Sequence, residues 1–88
     1  MADKGIPVTL IVANDCHLCE RARQVLATIS KETTVALREV SWQSEEGISL
    51  VRRDGVPFPP VLYISDSLAG YGRLSERALR RKLSRLGR

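Results

Sequence analysis

The run Ile6–Ala13, IPVTLIVA, constrains this chain more than any other feature. It is almost continuously apolar and rich in β-branched residues. That pattern predicts a central strand covered on both faces, because a surface strand would alternate. The run is far too short to span a bilayer. Lys4 precedes it, as a basic residue precedes the apolar part of a secretory signal. No small-x-small cleavage site follows, however, and Asn14-Asp15 end the run at once.

After Asn14-Asp15 the period changes. Ala22, Val25, Leu26 and Ile29 fall at i, i+3, i+4 and i+7, one face of a helix, while Arg21, Arg23, Gln24 and Thr28 point away. The pattern ends near Ser30–Glu32. Thr34–Trp42 reads as a second strand. Its Val35 and Leu37 alternate with Ala36 and Arg38, which suits an edge. Ser44 caps a short helix with Glu45 and Glu46 in the first turn, where the dipole favours acids. Ile48 and Val51 are expected to face the core, and Asp54-Gly55 ends the helix with a left-handed glycine cap.

Val56-Pro57-Phe58-Pro59-Pro60 excludes regular structure. Val61–Ile64 is a third strand, Ser65-Asp66-Ser67 a turn, Leu68-Ala69 a short returning strand and Gly70-Tyr71-Gly72 a tight connection. Ser75 caps a last helix. Its Leu79, Leu83 and Leu86, at i, i+4 and i+7, are expected to lie against the sheet, with Arg77, Arg81, Lys82, Arg85 and Arg88 in solvent. The order is β-α-β-α-β-β-α. The first two strands should run parallel and the last two should form a hairpin. With 88 residues, no repeat and no linker, one domain over residues 1–88 is expected.

Charge is unevenly placed. The net charge is +4, and residues 73–88 hold seven of the 14 basic residues against Glu76 alone. A solvated helix face explains this at the least cost. Docking of an acidic partner is the alternative, and nucleic acid is not expected.

The two cysteines, Cys16 and Cys19, close a loop too small to staple the fold. A secreted domain of this size usually spreads several disulfides along the chain, so a cytoplasmic setting is expected. Cys16-His17-Leu18-Cys19 stands where the strand gives way to the helix. The thiolate is the nucleophile in disulfide exchange, and a helix N-terminus stabilises it. Cys16 is therefore the expected exposed attacker. Cys19, one turn on and on the same face, is the expected resolving thiol. His17 either tunes the thiolate and handles a proton or fills a permissive spacer position. A structural zinc site needs four ligands, which this motif does not supply, so no metal is expected; an iron–sulfur cluster bridging two chains stays open.

Strand, CxxC, helix, strand, helix, proline-led strand and hairpin together resemble the glutaredoxins of the thioredoxin-fold superfamily over about the whole chain. The resemblance implies an α/β fold with a four-stranded mixed sheet and helices on both faces. It also implies a cis-proline facing the cysteine pair just ahead of the third strand. Pro60 fits because Val61 follows it directly; Pro57 is the second candidate, because Val56-Pro57 is similar to the glutaredoxin valine–proline pair. Carried over residue by residue, the implied site is Cys16 and Cys19 as redox pair, with His17, Leu18, Pro59, Pro60 and Gly70 around the substrate.

The activity so implied is thiol–disulfide exchange by a small monomeric dithiol redoxin without resident cofactor or membrane contact. It would act on a disulfide-containing protein or a small thiol. Glutathione, another low-molecular-weight thiol or a reductase would be the reductant. The alternative is a redoxin-fold binding or redox-sensing module that docks a partner through its basic last helix. The sequence departs from the glutaredoxin pattern in several places. His-Leu replaces Pro-Tyr between the cysteines, and no lysine closely precedes Cys16. Ala69-Gly70-Tyr71-Gly72 and Arg73 replace Gly-Gly and acids, and Pro59 has no N–H to offer a ligand. Weak use of glutathione is expected.

Overall fold

In the computed structural model, which describes residues 5–87, the apolar run forms β1 (Ile6–Val12) at the centre of the sheet. Lys4 and Arg88 lie outside the described residues. The other elements are α1 (His17–Ile29), β2 (Val35–Ser41), α2 (Glu45–Asp54), β3 (Val61–Ile64), β4 (Ser67–Tyr71) and α3 (Glu76–Leu86). The sheet order is β2-β1-β3-β4. β2 runs parallel to β1 from Ile6 opposite Val35, and β3 and β4 are each antiparallel to their inner neighbour. The element order, the mixed sheet and the edge position of β2 are those expected.

Alternation along β1 divides the core. Ile6, Val8 and Leu10 join Leu62 and Ile64 under α1 and α3, where Ala22, Val25, Leu26, Ile29, Leu79 and Leu83 close the cluster. Ile11, Val61 and Tyr63 point to the opposite face and meet Val40, Val56, Leu50 and Val51 beneath α2. Helices thus cover both faces. The ten-residue α2 is too short to hide all of its side, and Pro7 stays exposed on β1.

Four details differ from expectation. Ile48 is 39% exposed, and α2 instead turns Leu50 and Val51 inward. The cause is Gly47, which is buried against β2; a Cβ there would collide with the Ser41 carbonyl oxygen, so this point of closest approach fixes the helix phase. Leu86 is 51% exposed, because the last turn of α3 reaches past the cluster that holds Leu79 and Leu83. Leu37 is also exposed on the edge strand. Gly70 and Tyr71 belong to β4 rather than to a connection, since a register shift beside Leu62 and Tyr63 lets the strand continue to pair. The turn before it has both Ser65 and Asp66 at positive φ, the twist a two-residue hairpin needs.

Tyr63 ties α2 to β3. Its hydroxyl lies 2.7 Å from Asp54 Oδ2 and 3.1 Å from the Leu50 carbonyl oxygen, and the Arg53 guanidinium sits 5.7 Å from the ring centroid. Burial, with the Asp54 hydrogen bond adding to it, pushes the phenol up to about 12. The fold therefore favours the protonated form. That contribution is intact below the ordinary tyrosine value of about 10 and is lost as pH rises from there through about 12. Tyr63→Phe should flatten the alkaline fall in stability across this window, as read by urea denaturation on either side of it.

Candidate active site

Where β1 ends, Ala13 and Asn14 lead to Asp15 at φ 51°, which turns the chain into α1. Cys16 is the N-cap of α1, extended at φ −120° and ψ 107°. The Cys19 backbone N–H donates to Cys16 Sγ at 3.1 Å. An amide at the positive end of the helix therefore aims at the sulfur expected to carry negative charge. Cys16 is partly exposed and Cys19 is fully buried in the first turn. The two are joined as a disulfide with Cα atoms 5.2 Å apart.

Electrostatics here depend on the backbone. Asp15, Cys16, His17 and Glu20 line a shallow cleft, with neither lysine nor arginine among them. The charge of Glu20 is taken up by Arg23 at 2.7 Å, and Arg23 also holds Glu39. Cys19 has no exposed surface, so its sulfur is shielded from solvent. No group of three His, Cys, Asp or Glu among the described residues could hold a metal. None of the described helices is long and apolar enough to cross a membrane.

The register brings the remaining residues to the same end of the sheet. Val61 starts β3 opposite Ile11 near the end of β1 and opposite Tyr71 at the end of β4. Pro60, just before Val61, is buried, and the Pro59–Pro60 bond is cis, which decides between the two candidate prolines. Pro59 is half-buried. His17 is exposed and Leu18 half-buried on the first turn of α1. Gly70 is set back from this rim, paired with Leu62 inside β4; a Cβ there would press on Leu74 at 3.3 Å, so its small size serves packing.

An aromatic pair borders the proline loop. Phe58 and Tyr71 meet edge to face at 5.4 Å, and both are more than two-fifths exposed. Gly72 makes the pair fit: at φ 71° it places its bare Cα where a Cβ would lie 2.9 Å from Phe58. Its N–H donates to the Pro60 carbonyl at 2.8 Å. Sequence reasoning placed Tyr71 in a connection and so missed it. The one signal available was a large apolar ring between two glycines.

The chain matches no protein-family model and no curated protein. Solved structures do match. A mutant of the thioredoxin from Halobacterium salinarum superposes with a TM-score of 0.69 at 21% identity, covering 98% of this chain and 78% of its own. This chain has the thioredoxin fold. Thioredoxin O2 from Arabidopsis thaliana, in its oxidised state, gives 0.69 at 16% identity over 97% of this chain and 77% of that one. The oxidised thioredoxin from Plasmodium falciparum gives 0.64 at 16% identity over 97% and 84%. On this thioredoxin fold the cysteine pair sits at the strand-to-helix junction, at the same end of the sheet as the start of the proline-led strand.

Reactivity should follow the burial. In the reduced, folded protein iodoacetamide should modify Cys16 much faster than Cys19 near neutral pH, because only Cys16 combines exposure with the helix-terminal amide. Peptide mapping after a short pulse reads the ratio; equal and slow modification of both would overturn the assignment.

Proposed function

We propose that the protein is a dithiol redoxin that reduces disulfides with the Cys16–Cys19 pair. The observation that carries this is the asymmetry of the pair: Cys16 half-exposed as a helix N-cap, Cys19 buried one turn behind it. In the first step the Cys16 thiolate attacks one sulfur of the substrate disulfide. A mixed disulfide forms, and the other substrate sulfur leaves as a thiolate that takes up a proton. The Cys19 thiol then gives up its proton and attacks Cys16 Sγ, which releases the second substrate thiol. Two electrons have passed to the substrate, and the pair is left oxidised. Glutathione, another low-molecular-weight thiol or a reductase returns it to the dithiol, a cycle suited to a reducing, cytoplasmic compartment.

The rim supports protein disulfides over glutathione. In the glutaredoxin resemblance, the residue before the cis-proline donates its N–H to the bound peptide or glutathione, and a lysine before the first cysteine adds a charge. Here Pro59 has no N–H for either a peptide or glutathione, and Asn14 and Asp15 stand before Cys16 where the lysine would add its charge. One lost hydrogen bond costs about 1 kcal/mol, roughly a fivefold loss in binding. Phe58 and Tyr71 offer an apolar ledge instead, with His17 and Leu18 at the rim and Pro60 buried behind it. Turnover of a peptide disulfide should therefore proceed with a dithiol reductant and be roughly fivefold or more slower in a glutathione-coupled assay, taking the lysine contact as the one lost to glutathione. Equal rates would refute the preference, and no turnover with any thiol would refute the redoxin reading.

A further inference from the structure

Ion pairs neutralise much of the surface. Arg23 binds Glu20 and Glu39, Arg38 binds Glu46, and Arg53 binds Asp54. α3 is different. Among the described residues Arg80 is the one cation of α3 that is paired, and it engages both Glu32 and Glu76, the acid in the helix's own first turn. Arg77, Arg81, Lys82 and Arg85 are exposed and make no ion pair among the described residues. Arg77, Arg81 and Arg85 recur at i+4, so they form one stripe with steps of about 6 Å along the helix. Leu79 and Leu83 are turned inward and make the contacts of the helix with the core, so the arginine face does not contribute to it.

The stripe also has a direction. Arg73 follows Gly72, whose N–H holds the Pro60 carbonyl at the rim of the redox pair. α3 then runs beside α1 on the same face of the sheet, and α1 begins at the cysteines. A partner laid along α3 therefore has one end at the end of the sheet that carries the disulfide. This placement favours a protein over a nucleic acid, because only a protein partner brings a disulfide or dithiol to Cys16. α3 also lacks an exposed aromatic on which a base could stack.

We infer that the stripe Arg77, Arg81 and Arg85, flanked by Arg73 and Lys82, docks an acidic segment of the protein whose disulfide exchanges with Cys16–Cys19. The inference rests on the redoxin reading and names its substrate class. Complementary charge acts mainly on the rate of encounter, and salt screens it.

The test uses the full chain, reduced, and three synthetic peptides with one cystine core flanked by Glu, Gln or Lys. At low ionic strength the Glu-flanked disulfide should be reduced about tenfold or more faster than the Gln-flanked one, and the Lys-flanked one slowest. The advantage should vanish at high salt. It should vanish likewise in the combined Arg77→Gln, Arg81→Gln, Arg85→Gln variant, whose rate with the Gln-flanked peptide and whose thermal midpoint should match the unaltered protein. Equal rates for Glu- and Gln-flanked peptides would overturn the docking role while leaving the redoxin reading standing. So would a preference that survives the triple variant. A single-stranded oligonucleotide that binds more tightly than the Glu-flanked peptide through the same arginines would reassign the stripe to nucleic acid. Failure to reduce even the Gln-flanked peptide would sink the redoxin reading, and this inference with it.

Discussion

Cys16→Ser should reduce disulfide turnover to the background rate of the reductant alone, with the fold intact. Serine's hydroxyl is not ionised at neutral pH, and nothing at the site would activate it; the cleft holds Asp15, His17 and Glu20 but no third nucleophile. Cys19 cannot take over, because it is fully buried beneath the first turn. Cys19→Ser should behave differently. Its Cys16 still attacks, so one substrate thiol is released, but the mixed disulfide has no resolving thiol and accumulates. Intact mass spectrometry of Cys19→Ser with a peptide disulfide should show the adduct, and Cys16→Ser should show none. An adduct on Cys16→Ser, or steady turnover by it, would reverse the two roles. Rapid turnover of glutathione mixed disulfides by Cys19→Ser would point to a monothiol cycle and favour the glutaredoxin resemblance.

Leu83→Ala should destabilise the protein by roughly 2–5 kcal/mol. Leu83 has no exposed surface and closes the cluster formed by β1, α1 and β3. Such a loss is a large part of the roughly 5–15 kcal/mol that holds a small domain together. α3 needs this contact, because an isolated helix of about a dozen residues is marginal in water. Leu86→Ala, half-exposed in the last turn, should stay within about 1 kcal/mol, and Arg81→Ala closer to zero. Urea denaturation of the three variants ranks them. If Leu86→Ala costs as much as Leu83→Ala, the end of α3 is packed more tightly than its exposure indicates.

The parts of this fold that were legible in the sequence are those set by local chemistry. Ser44 and Ser75 cap helices as their side chains predict, accepting from the Gly47 and Ala78 N–H groups. Gly55 ends α2 in the left-handed conformation, and the stripe Ala22, Val25, Leu26 and Ile29 is buried as its spacing requires. The cysteine pair and Pro60 were legible because each sits at a boundary between elements. The misreadings share a different cause: they depend on what a residue meets from elsewhere in the chain. In α2 two apolar faces compete, Ile48 with Val51 against Leu50 with Val51, and the choice is made by Gly47 pressing on β2. In β4, Gly70 and Tyr71 carry turn-like composition, yet the neighbouring strand keeps pairing with them past a register shift. Tyr71 was lost from the site for that reason. Its place beside the proline loop depends on Phe58, thirteen positions earlier in the sequence.

The proline loop from Gly55 to Pro60 is irregular, but it is held at both ends. Tyr63 fixes Asp54 at its entrance, the Val56 N–H reaches back to the Val51 carbonyl, and Gly72 holds the Pro60 carbonyl at its exit. Three of its residues are prolines, each with φ already restricted by its ring. Little conformational entropy is therefore left to lose when a substrate lies against this wall. An incoming chain bears the ordering cost largely alone, so extended, pre-stretched disulfide segments should be taken up ahead of coiled ones of equal chemistry.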